Sequence, residues 1–303
     1  MLDFRPNEEQ KMLAETISRY ARERVRKVFR DAEEEGDIPE AVIKAGWEIG
    51  LLPTALPEEY GGFGDYSAVT GALAFEEFAW GDLAVTLEVM TPNLVAIPLL
   101  LCGTEEQKSQ FLPQFCEEAP PKMTAALTEP AVQFNPYKLR TTAVRDGDAF
   151  VLSGSKTFVP QAKDAEYILV YAAEDGETQA FLVPVETEGL TVGSRNKLMG
   201  INSLPAYLVT LNEVRVPAAN KLGGENGIDF SLILNHSRVA LGAAAVGMAR
   251  AGFEYARDYA KERVQFGEPI AHRQSIAFML ADMATEVDEA RLLVWEAAWK
   301  LDQ

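Results

Sequence analysis

The chain has 303 residues, of which 48% are hydrophobic and 24% charged, the proportions of a globular protein long enough for about two domains and a sizeable core. Its net charge is −18 and its pI about 4.6; such a surface repels phosphate backbones, so no nucleic-acid partner is expected. The longest apolar run, Leu94 to Cys102, contains Pro98 and falls short of a membrane span, which needs about 20 residues.

The first part of the chain, to about residue 120, reads as helices. Asn7 and Gln10 form a capping box that starts a helix at Glu8. Met12, Leu13, Ile17, Tyr20, Ala21, Val25 and Val28 continue it at helical spacing. A second helix follows Pro39, with Val42, Ile43 and Trp47 on one side. Pro57 to Asp65 (PEEYGGFGD) is a Gly-rich turn, read as a surface loop. Two more helices begin near Ser67 and Leu83, and a second capping box, Thr104 to Gln107, starts one running through Phe115.

From about residue 122 to 216 the pattern becomes β-rich. Asp146-Gly147 and Asp175-Gly176 each sit between two apolar runs and are hairpin signals. Strands are expected at Thr141–Ala143, Phe150–Leu152, Ile168–Val170 and Phe181–Val183, with a further one ending at Pro217. This is the pattern of a small antiparallel β domain.

Helical periodicity returns at about Gly227. The segment Ala240–Gly252 is rich in small residues, so another helix can approach it closely. From Gln274 onward, Ile276, Leu280, Met283, Val287, Ala290, Val294, Ala297 and Leu301 form a bundle seam without a stop signal. The expectation is a chain incomplete at its C-terminus, or one that requires a partner. Between the two helical stretches lies Tyr259–Gln274, with Arg263, Gln265, Phe266, Gly267, Pro269, His272 and Gln274 in a short bend. Arginine supplies a forked donor for phosphate oxygens, glycine allows the turn and proline stops the first helix. The same residues also suit a plain helix connection in which Arg263 caps carbonyls.

Cys102 and Cys116 are the only cysteines and have no companion ligand set, so they read as thiols in a reducing compartment and no metal site is expected. MLDFRPNEEQ lacks a secretory or transit pattern, which points to a cytoplasmic location.

Helices, then strands, then a bundle is an order similar to that of the acyl-CoA dehydrogenase family. The DFxxxEEQ pattern near the N-terminus, LPEEYGGFG, GTEEQKSQFLPQ, ALTEP, GSKTF, VRVPAANKLG and RVQFGEPIAHRQ fall in that family's order and spacing. The resemblance covers the whole chain and implies an α+β fold of three parts. These are an N-terminal helical domain (1–121), a middle antiparallel β domain (122–224) and a truncated C-terminal helical bundle of about two long helices (225–303). It implies a flavoprotein that binds FAD and dehydrogenates an acyl-CoA thioester in fatty acid metabolism, with an electron-transfer flavoprotein as acceptor. It also implies an oligomer, because in the family the Arg263 element reaches the FAD of a neighbouring subunit.

Carried over residue by residue, the resemblance assigns Leu127 and Thr128 to flavin contact. The family's Gly-Ser-Asp turn corresponds to Gln133, Phe134 and Asn135. Its Trp-Ile-Thr-Asn run corresponds to Phe158, Val159, Pro160 and Gln161. Proline offers neither the hydroxyl nor the backbone N–H of the threonine it replaces. The family's Gly-x-Arg-x-Ser-x-Thr becomes Gly200 to Ala206, with Asn202 and Ala206 at changed positions. Arg263, Gln265, Phe266, His272 and Gln274 match and are expected to reach FAD; Asn235 and Arg238 are expected at the thioester end. Arg238 equally suits a buried ion pair. Where some family branches place a glutamate base, the chain has Ser237, too weak a base to take a carbon-bound proton. No catalytic base is therefore expected in these residues; His236 and Glu129 read as structural, and Met199 and Met248 as core fillers. Two functions remain open: a dehydrogenase, acting as a homo-oligomer (dimer or tetramer), and a non-catalytic partner subunit of a heteromer that completes the FAD site of a catalytic neighbour.

Overall fold

The computed structural model describes residues 5–303; Asp3 and Phe4 of the N-terminal pattern lie outside them. The helices are α1 (Glu8–Tyr20), α2 (Arg26–Glu35), α3 (Glu40–Trp47), α4 (Ala68–Gly81), α5 (Leu83–Val89), α6 (Asn93–Cys102), α7 (Glu105–Phe111), α8 (Phe230–Glu262) and α9 (Gln274–Leu301). The strands are β1 (Met123–Ala126), β2 (Thr142–Asp146), β3 (Ala149–Pro160), β4 (Tyr167–Glu174), β5 (Glu177–Pro184), β6 (Leu190–Arg195), β7 (Ala206–Pro217), β8 (Val264–Gln265) and β9 (Glu268–Pro269). The chain groups into two compact units: residues to Arg30 with Ser67–Thr86 and Asn235–Gln303, and Asp31–Tyr66 with Leu87–Leu234.

In the first unit both ends of the Asn7 capping box form: the Gln10 N–H donates to Asn7 Oδ1 at 2.8 Å and the Asn7 N–H to Gln10 Oε1 at 3.0 Å. The helix expected to run on past Val25 does so, but Ala21–Val25 is a π-turn between α1 and α2. The indole of Trp80 lies under two arginines, Arg22 of this wider turn, with its guanidinium 4.2 Å from the ring centroid, and Arg26 at the start of α2, at 4.9 Å. Helix α4 starts at Ser67, whose hydroxyl accepts from the Thr70 N–H. Asp302 adds a second cap, accepting from the Ala68 N–H at 2.6 Å and the Val69 N–H at 3.2 Å. A carboxylate suits this end of a helix, where free N–H groups and the helix dipole are both positive.

Helix α8 meets α4 as closely as its small residues suggest. A Cβ on Gly247 would lie 2.2 Å from the Glu76 carbonyl oxygen, so only glycine fits. At this crossing Glu76, 4% exposed, accepts from Arg250 and Arg291 at 2.9 and 3.0 Å. Burial raises the Glu76 carboxyl's pKa, and the two guanidiniums oppose that shift. Along α9 only Val287 and Ala298 are fully buried; the other residues of the expected seam are half-buried or, at Ala290, exposed. By length and composition α8 is apolar enough to cross a membrane, and a third of its most apolar stretch is buried.

The second unit is built on a seven-stranded sheet. Both Asp-Gly hairpins form, β2 with β3 and β4 with β5. Strand β3 continues antiparallel to β7, and β7 to β6. The expected antiparallel domain differs in one respect. Strand β1 runs parallel to β4, and β2 meets β4 in a parallel contact at Thr142 and Ala173, so the sheet is mixed. The β1–β4 pairing joins segments far apart in the chain and has no turn to announce it. Alternation along β4 divides the core: Ile168 and Val170 join Phe150, Leu152 and Phe181, while Leu169 and Tyr171 face Leu99 of α6 and Phe111 of α7.

Candidate functional site

In the second unit the end of β1 and the end of β3 come together. The β1–β4 register stops at Ala126. The next carbonyls therefore need other partners, and β3 supplies them. Lys156 Nζ donates to the Leu127 carbonyl at 3.0 Å, and the Thr157 N–H donates to the Thr128 carbonyl at 2.8 Å. The pairing of β3 with β7 slips between Lys156 and Val159. At this bulge Phe158 has φ +54, an uncommon conformation for a bulky residue, and its side chain is 52% exposed. Asn196 braces the bulge from outside: its Oδ1 accepts from the Phe158 N–H at 3.2 Å and its Nδ2 donates to Thr157 Oγ1 at 3.1 Å. Val159 is buried, and Pro160 is half-buried and paired with Ala206 in the sheet. Gln161, the residue after it, turns its amide back to the Glu88 carbonyl at 3.1 Å.

Lys156 is fully buried and ion-paired with Glu129 at 3.0 Å. Burial alone would push Glu129 up, but the N–H groups of Arg140 and Thr141 and the nearby ammonium outweigh it, leaving the carboxyl below its usual range. Burial pulls Lys156 down to about 8, with Glu129 opposing that shift. Phe134 is half-buried and, with Leu127, packs against the core cluster that contains Tyr171 and Phe230. Asn135 Oδ1 accepts from the Tyr137 N–H at 3.0 Å, closing a local turn.

In the first unit, the Arg263 corner is a β8–β9 hairpin turning on Phe266 (φ +57) and Gly267 (φ +86). Positive φ at both central residues is the geometry of a tight hairpin turn. It places Phe266 93% exposed, under the Arg273 guanidinium 5.6 Å from its ring centroid. The Arg263 carbonyl accepts from the Ile270 N–H at 2.8 Å, and the residues from Arg263 to Gly267 are exposed. His272 faces Glu268 at 3.4 Å, and His272 and Gln274 are exposed. On α8, Asn235 Oδ1 accepts from exposed Arg238 at 3.4 Å, so Arg238 is not the buried ion pair that was one expectation for it. His236 is buried and its pKa is lowered by that burial. Met199, expected in the core, is fully exposed, and Met248 is 41% exposed. Among the described residues, no group of three or more His, Cys, Asp or Glu side chains is placed to hold a metal ion.

The folding therefore joins Leu127, Thr128, Phe158 and Val159 into one cradle and makes a separate corner of Arg263 to Gln274. Thr157, Asn196 and the Lys156–Glu129 pair complete the cradle and were not among the expected site residues. A sign of Lys156 is present in the sequence. Counting by twos from inward Phe150 and Leu152 along β3 reaches Lys156, and a lysine at an inward strand position calls for a partner.

A helical part, a mixed sheet that carries such a cradle and a second helical part, in this order along the chain, are the components of the acyl-CoA dehydrogenase fold. Family models for the N-terminal, middle and C-terminal domains of acyl-CoA dehydrogenases match residues 7–119, 124–214 and 229–303. The chain belongs to the acyl-CoA dehydrogenase family, whose members depend on FAD. It is 35% identical to a probable acyl-CoA dehydrogenase of Bacillus subtilis, over 99% of this chain and 81% of the relative. The structure of butyryl-CoA dehydrogenase from Megasphaera elsdenii superposes with a TM-score of 0.89 at 30% identity, covering 99% of this chain and 81% of that one. A glutaryl-CoA dehydrogenase of Mycobacterium smegmatis, solved with FADH2, gives 0.86 at 28% identity, over 97% and 76% of the two chains.

Proposed function

We propose that the chain is an FAD-dependent oxidoreductase that introduces an α,β double bond into an acyl-CoA thioester. The observation that carries this is the exposed Phe158 ring, held at a left-handed bulge beside the Leu127–Thr128 segment. A planar, largely apolar ring system fits such a surface: an aromatic face to pack on and backbone groups at its edge. The residues present fit the cofactor in this respect and depart at Pro160, which offers no hydrogen. When bound, FAD supplies the acceptor for the hydride that leaves the acyl chain.

The chain's own residues then divide the remaining work. Leu127, Thr128, Phe158 and Pro160 face the ring, and Phe134 and buried Val159 support that surface from the core. Arg263, with Gln265, Phe266, His272 and Gln274, reaches a diphosphate in a neighbouring subunit of a homo-oligomer or a related heteromer; their exposure leaves them free to do so. Asn235 and Arg238 hold the thioester end. The three-part division at residues 121 and 224, the cytoplasmic location, a role in fatty acid metabolism and an electron-transfer flavoprotein as acceptor belong to the same reading and rest on the family resemblance. None of the residues considered is assigned as base: Ser237 stands at the position of that role in some branches.

A second reading is favoured by Pro160 and by Phe134, an apolar residue packed on the core where a serine would face the flavin. Here the chain is a non-catalytic subunit that completes the FAD site of a catalytic partner. The test is the visible spectrum of the purified chain and its bleaching by acyl-CoA without oxygen. Yellow protein with one FAD per chain is expected, and bleaching shows that a base exists in the assembly. Colourless protein that turns yellow only with a related subunit gives the second reading. Protein that takes no FAD under either condition overturns both.

A further inference from the structure

Building on the FAD reading, we propose that Lys156 is a positioning residue: through the Leu127 carbonyl it fixes the direction of the Thr128 N–H that the cradle offers to the flavin. Four observations lead there. First, Lys156 has 0% exposure, and taking an ammonium out of water is costly. Second, Glu129 does not need a lysine to be satisfied, since it already accepts from the Arg140 N–H at 2.8 Å and the Thr141 N–H at 2.7 Å. Third, the other acceptor of Lys156 is the Leu127 carbonyl, the first beyond the end of the β1–β4 ladder. Fourth, the next residue of β3, Thr157, donates to the next carbonyl, that of Thr128, and the one after it is exposed Phe158.

A trans peptide is planar, so its C=O and N–H point in opposite directions. Holding the Leu127 carbonyl against Lys156 therefore aims the Thr128 N–H away from the β3 side chain. Lys156, Thr157 and Phe158 thus set, in three consecutive residues, the two peptides and the ring of the cradle. Glu129 keeps the ammonium in place, and even a neutral Lys156 amine could still donate to Leu127.

The test compares Lys156→Met, Lys156→Gln and, as a stability control in the core of the first unit, Ile17→Ala. Gln has a side chain one bond shorter than lysine and cannot keep both contacts. Apoprotein is titrated with FAD by fluorescence, and the flavin absorption bands and midpoint potential are recorded; melting of each apoprotein is followed separately. Lys156→Met is expected to weaken FAD binding at least about tenfold and to shift the bands and the potential, with Lys156→Gln in between. Ile17→Ala is expected to lower the melting temperature and leave the spectrum and potential of bound FAD unchanged. If Lys156→Met, or Lys156→Gln where the methionine variant does not fold, binds FAD with wild-type affinity, bands and potential, the positioning role is wrong and the pair is structural. If the wild-type chain itself takes no FAD, the functional reading fails first, and this proposal fails with it.

Discussion

Single side chains carry the clearest chemistry. Glu88, on α5, is partly buried, with Oε2 free of any hydrogen bond among the described residues. Burial, with Asp37 nearby, raises its pKa to about 7. The unfolded chain ionises it near 4.3. The folded state thus holds an extra proton between these values, and stability falls as pH rises through that window. Glu88→Gln is expected to flatten this slope and to gain about 1–2 kcal/mol at pH 8, discounted for partial solvent access. Denaturant melts of both proteins at pH 4.5 and pH 8 check it; equal slopes would refute it. What was legible at this scale was residue type at motif positions, such as Phe158 and Pro160. The backbone that gives Phe158 its role was not legible, because a left-handed phenylalanine has no local signature. Lys156 was half legible: strand parity turns it inward, but its acceptor lies across a chain gap that no pattern spans.

Elements were read best where their signals are local. Both capping boxes form, as do the Ser67 helix start and the two Asp-Gly hairpins. Each depends on residues a few positions apart, which is why a sequence reveals them. The small-residue stretch of α8 was legible as a close approach, though not which glycine makes it. Gly247→Ala is expected to cost about 1–3 kcal/mol, since its Cβ would press on the Glu76 carbonyl at 2.2 Å. Gly252→Ala, where a Cβ meets nothing within 4 Å, is expected to gain about 0.5–1 kcal/mol from helix propensity. Urea denaturation of the pair measures both; no loss of stability for Gly247→Ala would show that the crossing tolerates a methyl.

At the scale of the whole molecule, the order of helical, β and helical segments was legible, and the connectivity of the sheet was not. Strand β1 pairs parallel to β4, and such pairing is decided by packing, not by a turn. The acidic surface of net charge −18 makes the Arg263 corner matter more, since an anionic cofactor approaches against the overall field. Because Arg263 is exposed in the single chain, Arg263→Ala is expected to leave the melting temperature of apoprotein nearly unchanged and to weaken FAD binding about 10- to 100-fold. Isothermal titration with FAD reads this; unchanged affinity would mean the corner is only a helix connection. The π-turn at Ala21–Val25 has a consequence for how such chains can vary. A wide turn of this kind accommodates one surplus residue within a helix that is otherwise regular. Losing a single codon there would let the coil tighten to ordinary pitch while both flanking stretches keep their facing. The same loss within α1 would swing everything upstream of it by about 100° relative to Tyr20 and Trp80.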